Sequence, residues 1–297
     1  MSEPDSVVAI GVFDGVHRGH QLLVHRAVET ARLRNARALV VTFDPHPTTV
    51  VHPDAVPRLL TTIERRVRLL RDCGADEVVV LPFTHELSQL SPADFVDQML
   101  RGRLHAIHVV VGEGWRFGHK AAGDIPMLRS LGVSVEAVAL LHDEFDIVSS
   151  TYVRRRLAEG DVVAASRVLG RPHLVEGPVV RGDARGRTLG YPTANLLLPS
   201  WLAIPADGVY AGYLSRDESA ERMPAAISVG TNPTFDGVVR RVEAYVLDED
   251  LDLYDRHVVV EFVEGLRGMV KFDAVDDLIA QMGRDVDQTR QLVGPSR

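Results

Sequence analysis

With 297 residues, 45% of them apolar and 25% charged, the chain can form two compact domains, each with its own core, and intrinsic disorder is not the default state. A formal net charge of -8 gives no global attraction to phosphodiester chains or anionic lipid, so neither nucleic acid nor a membrane is an expected partner. The single cysteine, Cys73, rules out a disulfide framework, a multi-cysteine zinc site and the usual iron-sulfur cluster; with no secretory leader and no apolar run of about 18 residues, the expectation is a cytoplasmic protein.

In chain order, the strand Val7 to Phe13, the amphipathic stretch Gln21 to Arg34 and the strand Ala38 to Phe43 form a βαβ signature. Thr61 with Glu64 three residues on reads as a capping box opening a helix to about Asp72, followed by a strand from Asp76 to Phe83. Ser91-Pro92 starts a further helix, with serine as N-cap and proline at the first helical position. His108 to Gly112 and Val133 to Leu140 supply two more strands. Valine runs separated by helices predict a parallel sheet covered on both faces. After helices at Ser150 to Glu159 and up to Gly170, short strands punctuated by glycine and proline predict a small closed β-barrel, then a terminal helix over about Ala274 to Leu292. The domains are read as 1-170 and 171-297.

Two segments carry chemistry. In the first, a strand runs into Asp14-Gly15 and then His17-Arg18-Gly19-His20 at the start of a helix. Histidines three apart share one side of the first turn, where free backbone N–H groups and the helix dipole favour an anion, and Gly15 and Gly19 let phosphate approach the backbone. This suits a nucleotide triphosphate and charge developing on phosphoryl oxygens. A zinc-binding H-x-x-H pair and a merely structural histidine pair are the alternatives. Gly112 and Gly114 do not follow the G-x-G-x-x-G spacing of a dinucleotide site. Only two basic residues are lysines, Lys120 and Lys271, and neither sits in a P-loop or a kinase V-A-I-K strand.

In the second segment, Gly182 to Gly190 is a glycine-spaced flap with Arg181, Arg185 and Arg187, able to lie over phosphates. Thr193 and Asn195, two apart on an extended chain, point the same way and offer hard oxygen ligands that could hold Mg²⁺ against ATP phosphates. The alternative is a turn in which both cap local backbone groups.

GVFDGVHRGH resembles the H-x-G-H motif of the nucleotidyltransferase superfamily, and GRTLGYPTANL resembles the riboflavin kinase signature. VTFDPHP, VGEGWRFG, IVSSTYVR, ISVGTNPTF, RVEAYVLD and LRGMVKFD follow in the order of the bacterial bifunctional riboflavin kinase/FAD synthetase family, to which nearly the whole chain is similar. The resemblance implies an α/β plus β fold: a Rossmann-like nucleotidyltransferase sheet at the N-terminus, then a riboflavin-kinase-like barrel. It implies phosphorylation of riboflavin to FMN, and adenylylation of FMN to FAD with release of pyrophosphate, with ATP as co-substrate and Mg²⁺ as cofactor. At the first site it implies catalytic His17 and His20, ATP contacts from Gly11, Phe13, Asp14, Gly15, Ser149, Thr151 and Arg154, and flavin contacts from Pro45 and His46. At the second it implies Glu243 as the base, ATP contacts from Gly182, Gly190, Thr193 and Asn195, metal on Thr193 and Asn195, and a flavin contact from Arg267. Two rivals stay open: a kinase whose N-terminal domain is degenerate and regulatory, motivated by Gly114-Trp115 where relatives carry Asp or Asn followed by Phe, and a flavin store or sensor without turnover. A homo-oligomer is compatible with this reading, which sets no oligomeric state.

Overall fold

The computed structural model describes residues 4-143, 146-182, 189-216, 221-234, 237-249 and 251-294. Most of the predicted flap, including Arg185 and Arg187, lies outside them. The chain divides into two compact units, Met1–Ser150 and Thr151–Arg297.

The first unit contains strands β1 (Ser6–Ile10), β2 (Arg37–Asp44), β3 (Glu77–Pro82), β4 (Ala106–Gly112) and β5 (Val135–Val138), and helices α1 (Arg18–Leu33), α2 (Pro47–Val51), α3 (Ile63–Asp72), α4 (His85–Gln89), α5 (Pro92–Asp94) and α6 (Ile125–Ser130). The strands form one parallel sheet in the order β3-β2-β1-β4-β5. Every residue of β1 is buried, as a central strand covered on both faces requires. Val7 and Ala9 pack with Leu23, Val24, Ala27 and Ala31, the apolar stripe of α1, and with Leu70 of α3. Val8 and Ile10 belong to the opposite core, with Leu128 of α6 and Phe95, Val96 and Leu100 of the π-helical stretch Phe95–Arg103.

Two local readings are corrected. Strand β1 stops at Ile10 rather than Phe13, because Phe13, Gly15 and Val16 turn to positive φ of 54°, 80° and 41°. The cap of α3 is Thr62, whose hydroxyl accepts from Arg65 N at 3.2 Å; Thr61 is turned elsewhere.

Helix α7 (Ser150–Ala158) starts at the last residue of the first unit and otherwise belongs to the second, where α8 (Val162–Leu169) follows, capped by Asp161 and ended by Gly170 in the left-handed region. Strands β6 (His173–Val180), β7 (Ala194–Leu196), β8 (Gly208–Arg216), β9 (Met223–Thr234), β10 (Gly237–Val246) and β11 (His257–Gly268) close into a barrel in the order β10-β7-β6-β11-β8-β9, and α9 (Val275–Val293) follows. Compactness places the division between Ser150 and Thr151, ahead of the 170/171 boundary read from the sequence, because α8 packs on β6 and β11. Along β10, Val242 and Ala244 are buried and Glu243 between them points to the opposite face. Helix α9 packs on β8, β9 and β11.

Candidate active sites

In the first unit, the chain leaving β1 at the centre of the sheet reaches the place where strand order reverses, with β2 on one side and β4 on the other. Crevices outside the carboxyl ends of strands at such a point are where open α/β sheets bind ligands. His17 is the N-cap of α1, not a member of its first turn. Its Nδ1 accepts from His20 N at 3.3 Å, so one of the helix N–H groups expected to meet an anion is taken by a histidine instead. The two imidazoles stack at 3.5 Å between centroids and 18° between planes, and Phe13 meets His20 edge-on at 5.2 Å. A Cβ on Gly19 would lie 3.3 Å from the His17 ring, so glycine here makes room for that ring. Burial, then His17, then Arg66 hold the His20 imidazole well below its ordinary pKa. It is therefore neutral at pH 7 and keeps one N–H to donate. Its Nδ1 is buried without a hydrogen-bond partner among the described residues.

The carboxylate of Asp14 is engaged inside the unit. It is buried and accepts from Leu60 N at 2.9 and 3.1 Å, from Thr61 N at 3.2 Å and from the Thr61 hydroxyl at 3.3 Å. The buried Arg66 guanidinium lies 3.6 Å from it, and Gly15 N donates to Thr61 Oγ1 at 3.3 Å. Gly11 and Phe13 share this loop, the Phe13 ring folding back over Gly11. The sequence pattern singles out neither Arg66 nor this role of Thr61, whose spacing to Glu64 points to a cap.

His46, in the segment expected to contact flavin, caps α2 through Nδ1, which accepts from Thr48 N at 3.2 Å, with Pro45 exposed just before it. Ser150 donates to the carbonyl of Asp14 at 2.8 Å, tying the end of the unit to the His17 loop, and Ser149 is half-buried beside it. Thr151 and Arg154 fall on α7 within the second unit, Thr151 exposed and Arg154 half-buried. Trp115 stacks on Phe117 at 4.9 Å and packs against the sheet core, so the Gly114-Trp115 departure is taken up by packing.

In the second unit, Asn195 of β7 is opposite Glu243 of β10, which is opposite Ser228 of β9. Thr193 Oγ1 donates to Glu243 Oε2 at 3.2 Å, and Asn195 Nδ2 turns toward Thr193, 3.4 Å from its carbonyl and 3.5 Å from its hydroxyl. The amide orientation leaves Asn195 Oδ1 buried with no partner among the described residues. A Cβ on Gly182 would sit 2.5 Å from that oxygen, so only glycine passes there. Gly190, at φ 88°, is exposed just before Tyr191. Thr193 and Glu243 line a cavity of about 250 Å³ bounded on the far side by Leu278, Met282, Asp285 and Val286, one face of α9. Arg267 lines it too, with Nε at 3.0 and 3.1 Å and Nη2 at 2.7 Å from the Asp285 carboxylate. A smaller cavity of about 40 Å³, lined by Val179, Ala244, Glu249 and Tyr254 among others, also has Thr193 in its wall.

The chemistry of the two sites differs. The first offers two stacked imidazoles, that of His20 neutral, and a turn of backbone. The second offers an amide oxygen and a hydroxyl suited to a hard cation, next to a carboxylate able to take a proton. Among the described residues no group of three or more His, Cys, Asp or Glu side chains is placed to hold a metal ion, so the H-x-x-H pair lacks further ligands of that kind for zinc. Asp285 escaped sequence reasoning because an acidic residue on an amphipathic helix usually faces solvent.

The family model of FAD synthetase matches residues 1-152 and that of riboflavin kinase matches residues 169-293. The chain is 34% identical over 293 residues to the bifunctional riboflavin kinase/FMN adenylyltransferase of Escherichia coli (strain K12), covering 97% of this chain and 93% of that protein. It is 37% identical over 295 residues to the protein of the same name from Pseudomonas fluorescens, covering 98% and 94%. A crystal structure from Streptococcus pneumoniae described as a macrolide-efflux protein shares the fold with TM-score 0.89 and 35% identity, covering 98% of this chain and 95% of that one. Among the described residues no helix is long and apolar enough to cross a membrane. Matched along both units by these models and over almost its full length by these relatives, the chain belongs to the bifunctional riboflavin kinase/FMN adenylyltransferase family.

Proposed function

We propose that the barrel unit phosphorylates riboflavin with ATP to give FMN, and that the sheet unit adenylylates FMN with ATP to give FAD and pyrophosphate, at two separate sites in the cytoplasm. The observation that carries this reading is the meeting of Thr193 and Glu243 at one cavity wall with Asn195 beside them, together with the stacked histidine pair in the other unit. The matching of residues 1-152 by the FAD synthetase model weighs against a degenerate, regulatory first domain.

In the kinase step the ribityl 5'-oxygen attacks the γ-phosphorus of ATP, the bond from that phosphorus to the β-bridging oxygen breaks, and the hydroxyl proton passes to Glu243. The Thr193 hydroxyl holds one carboxylate oxygen and so aims the base. A positioned base contributes on the order of 10² to 10⁴ in rate. The flavin ring fits the larger cavity, whose wall is largely apolar, including Val209, Ile227, Met269 and Phe272. The nucleotide lies toward the smaller cavity, with Thr193 common to both. The unpartnered Asn195 oxygen and the Thr193 hydroxyl fit Mg²⁺ and would hold it, and when bound it neutralises charge on the phosphate oxygens.

In the adenylyl step a phosphate oxygen of FMN attacks the α-phosphorus of ATP, and pyrophosphate leaves. His17 and His20 orient the phosphates and donate hydrogen bonds to oxygens gaining charge. The decisive experiment follows FMN and FAD separately. His20→Ala is expected to lower FAD formation by on the order of 10²-fold with riboflavin phosphorylation kept, and Glu243→Gln to do the reverse. Equal loss of both activities in either variant refutes the two-site assignment.

A further inference from the structure

The turn that presents His17 and His20 holds an unfavourable backbone. Phe13 and Val16 sit at φ 54° and 41°, a region that L-residues seldom occupy and that a β-branched side chain disfavours most. Such a conformation persists only where its surroundings over-determine it. Here the surroundings are specific. The carboxylate of Asp14, 2% exposed, accepts from the backbone N–H groups of Leu60 and Thr61 and from the Thr61 hydroxyl. The same hydroxyl oxygen accepts from Gly15 N, the residue between the two distorted positions. Thr61, 5% exposed, thus bonds the turn twice, once through its side chain to the backbone and once to the carboxylate. Arg66, 2% exposed, places its positive charge behind that carboxylate and bonds Thr42 Oγ1 and the Phe43 carbonyl on β2.

We infer that Thr61, through Asp14 and Gly15, is a positioning residue for adenylyl transfer: it locks the strained turn in the one conformation that stacks His17 on His20 and sets both against the ATP phosphates. The hydrogen bonds of Thr61 go to Asp14 and Gly15, not to either imidazole. Its role is to keep the pair in register, and a displacement of about 1 Å at such a site can cost on the order of 10²-fold in rate. The inference rests on the reading of the first unit as the adenylyltransferase.

The test replaces the hydroxyl and then restores it. In the full chain, Thr61→Val keeps the shape and removes both bonds, whereas Thr61→Ser keeps the hydroxyl and removes only a methyl. FAD formation from FMN and ATP is expected to fall on the order of 10- to 10²-fold in kcat/KM for Thr61→Val and to recover to within about threefold of the parent for Thr61→Ser, with riboflavin phosphorylation unchanged in both. Thr61→Val equal to the parent, or Thr61→Ser as impaired as Thr61→Val, overturns the inference. A parent protein that makes no FAD from FMN overturns instead the reading beneath it. Should Thr61→Val fail to fold, hydrogen exchange of the parent decides: the amides of Gly15, Leu60 and Thr61 are expected to be strongly protected, and exchange at unstructured-peptide rates overturns the clamp.

Discussion

Replacing Asp285 by asparagine probes how the terminal helix contributes to the barrel site. Asp285 is on α9 and its side chain is 7% exposed; its partner Arg267, on β11, is 20% exposed. Oδ1 accepts from Arg267 Nε and from Gln281 Nε2 at 2.8 Å, while Oδ2 accepts from Arg267 Nε and Nη2. An amide NH₂ at either position therefore faces an N–H donor, and the substitution removes a charge as well as a hydrogen bond. Breaking a fully buried pair costs about 3–5 kcal/mol; the residual exposure of Arg267 reduces this to about 2–3 kcal/mol. For a unit of this size that corresponds to a fall in Tm of about 5–10 °C for the barrel transition. Because Arg267 lines the cavity, its release should also weaken riboflavin binding on the order of tenfold, about 1.4 kcal/mol. Thermal unfolding followed by circular dichroism and riboflavin fluorescence quenching read the two effects separately. A cycle with Arg267→Ala should give a coupling of about 1–3 kcal/mol. A Tm within about 1 °C of the parent together with unchanged riboflavin affinity would refute the reasoning, since a buried ion pair cannot be removed without trace.

Gly182→Ala would drive a Cβ to 2.5 Å from Asn195 Oδ1; overpacking of this kind costs about 1–3 kcal/mol, and riboflavin-dependent ADP release should fall on the order of 10- to 10²-fold while FAD synthesis from FMN persists. For His20 the sign runs through its lowered pKa, caused first by burial. Between the unfolded value near 6.5 and the lower folded value the unfolded chain binds the proton, so the stability of the first unit falls as pH drops through that window. The parent should lose Tm more steeply than His20→Gln from about pH 6.5 downward, and the His20 ring proton shift should stay flat from about pH 7.5 to 6.5; a ring titrating at or above its ordinary value contradicts the burial argument.

The sheet and barrel were legible because their signals are repetitive. Valine runs such as Val7 to Ile10 and Val109 to Val111 are buried on both faces, and the α1 stripe recurs at helical spacing, so pattern alone places them. The loop between β1 and α1 was legible in composition but not in conformation. Composition points its glycines at phosphate but does not show that Gly19 makes room for the His17 ring or that the N–H of Gly15 is bound to Thr61, 46 residues away. No local rule announces a bond of that span. The capping-box reading failed for a related reason: two adjacent threonines compete for one cap, and the contest is decided by Asp14, which the local sequence does not contain. Similarly, the short strand β7 exists only because β6 and β10 flank it.

One physical contrast separates polar atoms already partnered within the protein from those left open. A buried polar atom left without a partner costs about 1–3 kcal/mol, so a folded chain tolerates few. Asp14 Oδ1, His17 Nδ1 and His46 Nδ1 are engaged within the protein. His20 Nδ1 and Asn195 Oδ1 are not, among the described residues. Lack of a partner is insufficient by itself, because His108 Nε2 shares it while its other ring nitrogen pairs with Ser134 at 2.8 Å inside the sheet unit. What distinguishes His20 and Asn195 is position: one lies in the first turn of α1, after the loop that leaves β1 where strand order reverses, and the other beside a hydroxyl and a carboxylate that line a cavity. A ligand that reaches an orphaned atom relieves it, whereas an atom sealed in a core stays unpaired, so ATP binding at these two positions, one per unit, is expected to recover part of that cost.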